Sequence, residues 1–158
     1  TNAARALELV VPEIKGIGFL ADSVRVPLKT GSVIILNCTF QSQIDSAGKA
    51  SITRDSINKI YEEYSLATDS GVNFSTVQNV SGDIVGEPSA VVIESLETHT
   101  RTGFIDVDLT GLVNIPEGKN RVSIPVTHAK IFGWYDNELG SYTRRMSQLA
   151  AYICDRVG

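Results

Sequence analysis

The sequence predicts an α+β fold, a mostly antiparallel or mixed sheet with helices packed on one face. Three observations carry that prediction. Apolar residues recur at helical spacing in three segments, at the start, near the middle and at the end of the chain. Between them lie stretches rich in β-branched and aromatic residues, which run in pairs with few intervening helices. The 158 residues, 42% hydrophobic and 20% charged, fit a single soluble domain spanning 1–158 with enough core to fold.

The first helix starts at Thr1 or Asn2, both good N-caps, and carries Ala3, Ala6, Leu7, Val10, Val11 and Ile14 at helical spacing. Pro12 and Gly16 limit its end. Phe19–Pro27 and Ser32–Phe40 read as strands joined by the turn-like Leu28-Lys29-Thr30-Gly31. A second helix opens at Thr53, with Asp55 in its first turn, where a carboxylate suits the helix dipole. Ile57, Ile60, Tyr61 and Tyr64 form its apolar face. Val91–Leu96, the alternating Phe104–Leu109 and Val122–Trp134 are further strands. The last helix follows Gly140 and sets Met146, Leu149, Ala150, Ile153 and Cys154 on one stripe, with Arg156 near its end.

Fourteen basic and 18 acidic residues leave a net charge of −4, which argues against a dedicated nucleic-acid binder. The acidic excess sits in residues 82–117, where only Arg101 opposes seven carboxylates. Residues 118–158 are basic by three. The two segments face each other or, more commonly, are simply solvated. No uncharged run is long enough to span a bilayer. Thr1-Asn2-Ala3-Ala4-Arg5 lacks a basic-then-apolar leader. A first residue of Thr rather than Met is read as a processed, truncated or excised start. Cys38 and Cys154 read as reduced, buried thiols, which places the chain in the cytoplasm.

Most familiar chemistry is missing. Gly16-Ile17-Gly18 follows a helix and lacks the third glycine of a dinucleotide fingerprint, and no phosphate-binding loop with Gly-Lys-Ser/Thr exists. His99 and His128 have no metal-ligand spacing around them. Asp106 and Asp108 share a strand face that could take a cation, although a solvated face is the commoner use of such a pair. Arg25 interrupts the apolar strand end Val24-Arg25-Val26-Pro27. It serves either as a surface or salt-bridge residue or as a guanidinium suited to bidentate phosphate capture. Thr1 and Asn2 open a helix whose free N–H groups can hold an anion. The densest segment, Ile131 to Gly140, holds the only Trp and joins a strand to the last helix. There, Asp136 or Asn137 caps the helix, or the Asn137 side chain, with one acceptor and two donors, reads a primary carboxamide.

Trp134-Tyr135-Asp136-Asn137-Glu138, followed by Gly140 and Arg144, closely resembles the C-terminal motif of the glyceraldehyde-3-phosphate dehydrogenase family. Thr1-Asn2-Ala3-Ala4-Arg5-Ala6 is similar to its Thr-Gly-Ala-Ala-Lys-Ala helix start, and Pro12-Glu13-Ile14-Lys15-Gly16 to its Pro-Glu-Leu-x-Gly. Ser23-Val24-Arg25-Val26-Pro27 resembles its Arg-Val-Pro strand, and Ser81-Gly82-Asp83-Ile84-Val85-Gly86 its Ser-x-Asp-Ile-Val-Gly. Five ordered motifs are specific together, where each alone is weak.

The resemblance implies an enzyme with an N-terminal NAD-binding Rossmann domain and a C-terminal α+β catalytic domain. Such an enzyme oxidises glyceraldehyde 3-phosphate through a cysteine thiohemiacetal, passes hydride to NAD and releases an acyl phosphate by phosphorolysis with inorganic phosphate. The family's nucleophilic Cys, its activating His and the Rossmann domain precede the stretch that this chain matches. Neither Cys38 nor His128 falls in those motifs. Carried over by position, Thr1, Asn2 and Arg25 are phosphate contacts, and Asn137 contacts the nicotinamide carboxamide. Asn2 replaces a glycine, and Ser141-Tyr142-Thr143 stands where Tyr-Ser-Asn is common, beside the nicotinamide site. Thr98–Thr127 is longer than the usual connection and is expected to add a β-hairpin. On this reading the chain alone is catalytically inert, does not bind NAD tightly, and self-associates through its sheet as a homo-oligomer. The rival reading is a free-standing, non-enzymatic binding or assembly module with the same fold. A third is a related dehydrogenase for a different sugar phosphate.

Overall fold

The computed structural model describes residues 3–110 and 120–157. The fold is α+β, with three helices and a five-stranded mixed sheet. The expected N-caps Thr1 and Asn2 lie outside the described residues. Helix α1 runs over Ala3–Val10 and passes, after Val11, into a 3-10 turn at Pro12–Gly16 with the proline at its start. A proline lacks the N–H that a continuing helix would need, so the helix stops there.

Strand β5, Arg121–Tyr135, is the spine of the sheet. Strand β1, Ser32–Gln41, pairs antiparallel along one of its edges, from Ser32 opposite Tyr135 to Gln41 opposite Val126. Two strands share the other edge. Strand β4, His99–Asp108, pairs antiparallel with residues 121–130, and β3, Val91–Glu94, takes Gly133 and Trp134. Strand β2, Val72–Ser75, adds in parallel on the far side of β3. The long connection therefore is a β-hairpin, whose arms close at Asp108 and Arg121; the span Thr98–Thr127 includes residues 111–119, which lie outside the described ones.

Helix α2, Arg54–Ser65, covers the inner face. Thr53 caps it, accepting from Ser56 N–H while the Ser56 hydroxyl accepts from Thr53 N–H. Arg54 and Asn58 donate to the carbonyl of Ser95, which pins the helix to the turn that ends β3. Ile57 then packs with Ile93, Ala129 and Ile131, and Leu36, Tyr61, Val72 and Phe74 surround that cluster. The alternation of β5 sends Thr127, Ala129 and Ile131 inward. His128, Lys130 and Phe132 point to the opposite, outer face.

Three expectations are corrected. Phe19–Pro27 is not a strand: it pairs with no described strand, and Leu20 and Val24 are exposed. β-branched composition favours extended backbone, but only a partner edge makes a ladder. Val91–Leu96 stops at Glu94, after which Ser95–Glu97 turn as a 3-10 segment. Cys154 is exposed rather than buried, because the apolar stripe of α3, Ser141–Val157, has Met146, Leu149 and Ile153 open to solvent. Among the described residues, no ion pair joins the acidic 82–117 stretch to the basic end, and no helix is long and apolar enough to cross a membrane.

Candidate functional site

The site grows from the C-terminal end of β5. Asp136 follows Tyr135 and is completely buried, with no cationic partner among the described residues. Backbone N–H groups hold it instead. One carboxylate oxygen accepts from Gly86 N at 2.8 Å, and the other from Glu138 N at 2.9 Å and Leu139 N at 3.2 Å. The Thr30 hydroxyl adds a long contact of 3.5 Å. These donors, led by Gly86 N–H, hold the Asp136 carboxyl below the usual carboxylate range despite its burial. The backbone carbonyl of Asp136 accepts from the Ser141 hydroxyl at 2.7 Å, which fixes the start of α3.

Two glycines make this clamp possible. Gly86 sits at φ +78°, a left-handed conformation that suits glycine, and aims its N–H at the carboxylate. Gly140 has no room for a side chain, since a Cβ there would strike the carbonyl oxygen of Glu87 and crowd Asp136. The geometry decides the capping alternative at this turn. Asp136 closes the turn onto the residues two and three ahead of it, and the helix begins later, at Ser141. Asn137 does no capping. Its side chain is exposed and makes no hydrogen bond with the described residues, so one acceptor and two donors stand free on a rigid turn. That donor set fits a primary carboxamide such as the nicotinamide amide. Nearby, Ser141 is buried, while Tyr142 is exposed and meets Tyr135 edge-on, with ring centroids 6.0 Å apart.

Arg25 is exposed on the unpaired 19–27 segment and has no hydrogen bond or ion pair with the described residues. Its guanidinium is free, as an anion contact requires. The chain runs from Arg25 to Thr30, which touches Asp136, so the clamp tethers the segment that carries Arg25. No contact joins Arg25 to Asn137 directly. Thr1 and Asn2, the other phosphate candidates, lie outside the described residues.

The remaining candidates have other fates. Cys38 is half-buried on the inner face, and burial pushes its thiol up, away from the thiolate a nucleophile needs. His128 is turned to the outer face, 3.3 Å from the Thr39 hydroxyl, and does not pair with Cys38. Asp108 accepts from the Thr110 hydroxyl and N–H, which hold its carboxyl below the ordinary range. No cluster of three potential metal ligands exists among the described residues.

The family model described as glyceraldehyde 3-phosphate dehydrogenase, C-terminal domain, matches residues 1–137. The chain belongs to this family. Among its relatives, the glyceraldehyde-3-phosphate dehydrogenase of Streptomyces coelicolor is 30% identical over 155 residues, covering 97% of this chain and 36% of that protein. The enzymes of that name from Borreliella burgdorferi and Clostridium pasteurianum are each 31% identical over 153 residues, covering 95% and 97% of this chain. In both cases the match again spans 36% of the relative, so the chain corresponds to roughly a third of each whole protein. The resemblance read from Trp134-Tyr135-Asp136-Asn137-Glu138 and its companion motifs is thereby established at the level of family.

The clamp makes a stability prediction. An amide in Asp136→Asn turns a donor toward one of the bound N–H groups, which leaves a buried donor unsatisfied. The expected loss is about 1–3 kcal/mol in denaturant unfolding followed by Trp134 fluorescence. Because the folded-state pKa of Asp136 is lowered, its contribution is complete above the ordinary carboxylate value of about 4 and is lost as pH falls through the folded-state value. The stability gap between wild type and Asp136→Asn should therefore close below about pH 4. A gap that persists unchanged in acid would contradict this assignment.

Proposed function

We propose that this chain is the C-terminal catalytic-domain part of a phosphorylating, NAD-dependent glyceraldehyde-3-phosphate dehydrogenase, an oxidoreductase of glycolysis. The observation that carries the reading is the unspent Asn137 carboxamide, held on a turn that a buried carboxylate fixes. In this role Asn137 receives the nicotinamide amide and sets the orientation of the ring, and bound NAD supplies the hydride acceptor. Arg25, with Thr1 and Asn2, binds the phosphoryl group of the substrate or the inorganic phosphate that attacks the acyl group. The free guanidinium of Arg25 supports that role. The Cys nucleophile and its base are assigned to a part of the enzyme outside these 158 residues, so the chain by itself does not turn over. Cysteine-dependent dehydrogenase activity from this chain alone would contradict that.

In the complete enzyme, Arg25→Ala should raise the KM for inorganic phosphate or for the aldehyde by about tenfold or more. Asn137→Ala should lower kcat/KM for NAD while leaving the phosphate KM near its original value. Unchanged kinetics in either variant would remove that residue from the site.

The same reading makes the domain part of an assembly, placed in the cytoplasm. The chain exposes 11867 Å² for a mass of 17.1 kDa. A compact monomer of that mass exposes roughly 7,800 Å². The exposed surface includes large apolar side chains: Val33 and Ile35 on the outer sheet face, and Met146, Leu149 and Ile153 on α3. We therefore expect homo-oligomers, formed across the sheet where Val33 and Ile35 lie. Light scattering should give a mass above 17.1 kDa that rises with concentration. A monomer at every concentration would overturn the expectation.

A further inference from the structure

The outer face of the sheet carries a second cluster that the reading above does not use. Both histidines of the chain are in it. On adjacent strands, His99 stands opposite Lys130 and Arg101 opposite His128. All four alternate away from the buried Ala129 and Ile131, so they share the outer face. Together with Thr100 they line a shallow depression of about 240 Å³. That is below the ~300–1,000 Å³ of sites for drug-sized ligands and suits a small ion.

The surroundings of the cluster are almost wholly neutral or basic. Strand β1 contributes Asn37 opposite Lys130 and Thr39 opposite His128. The Thr39 hydroxyl lies 3.3 Å from His128 Nδ1 and orients that ring, leaving Nε2 for a ligand. A carboxylate at the rim, Glu97, lies 3.8 Å from His99 Nε2, with its other oxygen accepting from Gln78 at 3.4 Å. Lys130 Nζ rests 5.8 Å from the centre of the Phe132 ring. Arg101 has no hydrogen bond or ion pair with the described residues.

Each of the two pairs sets a fixed cation, Lys130 or Arg101, opposite an imidazole, in a chain whose net charge is −4. A metal ion on the two imidazoles would meet the guanidinium and ammonium beside them, so the charge pattern selects an anion. An arginine fork, a lysine and two imidazoles supply donors in the mix that a tetrahedral oxyanion accepts. We propose that His99, Arg101, His128 and Lys130 form a binding site for a phosphoryl-type oxyanion, separate from the phosphate contacts assigned to Thr1, Asn2 and Arg25.

The test is imidazole NMR, in which His99→Gln and His128→Gln assign the two signals. Inorganic phosphate should shift both signals saturably, with a Kd of about 1 mM or tighter. Sulfate, a second tetrahedral oxyanion, should shift the same two signals. Arg101→Gln and Lys130→Gln should each weaken binding of both ions by about fivefold or more. Arg25→Ala should leave the histidine response as it was. No saturable shift of either histidine, or full retention in both Arg101→Gln and Lys130→Gln, would overturn the site. Loss of the response in Arg25→Ala would assign the anion to the Arg25 contacts and equally overturn it.

Discussion

The buried carboxylate of Asp136 is the constraint on which the rest of the site depends. It gathers N–H groups from Gly86, Glu138 and Leu139, and it does so without a counter-charge. A carboxylate taken out of water without a cation is tolerated only when such dipoles replace its hydration. The same residue therefore ties the end of β5 to the Ser81–Gly86 segment, to Thr30 and, through its carbonyl, to the first residue of α3. Asn137 is left on a turn with little freedom, while its side chain remains uncommitted. Rigid backbone beneath a free carboxamide is what a ring-orienting contact requires.

Strand β5 delivers that turn. It is 15 residues long and pairs with three strands, β1 on one edge and β4 and β3 in succession on the other. Its inner residues anchor the small core under α2, and its outer residues carry His128 and Lys130. One strand thus joins the core, the Asn137 turn and the basic depression, and alternation keeps the last apart from the first. The hairpin that β4 adds to β5 is also what brings His99 and Arg101 across from Lys130 and His128.

Much of this was legible in the sequence, for physical reasons that differ by element. The cap at Thr53, the turn residues around Gly140 and the long alternation of Val122–Trp134 are local signals, and α2, α3 and β5 follow them closely. Phe19–Pro27 carries the same composition as a strand, but pairing is a property of the neighbour, which composition does not encode. Strand β2 has four residues, too few for alternation to register. The stripe on α3 is periodic as expected, yet periodicity marks a face that seeks cover without naming what covers it, which is why Cys154 is exposed. At the site, Arg25 and Asn137 were visible as residue types, whereas the clamp was not. Asp136 depends on Gly86, 50 positions away, and only the fold brings that N–H to it.

Native-state hydrogen exchange in wild type and Asp136→Asn tests the central claim most directly. If Asp136 organises the turn, the amides of Gly86, Glu138 and Leu139 should lose protection together in the variant, while the β1–β5 ladder keeps its own. Unchanged protection at those three amides, or an equal loss across the whole sheet, would contradict the clamp as the element that fixes the Asn137 turn.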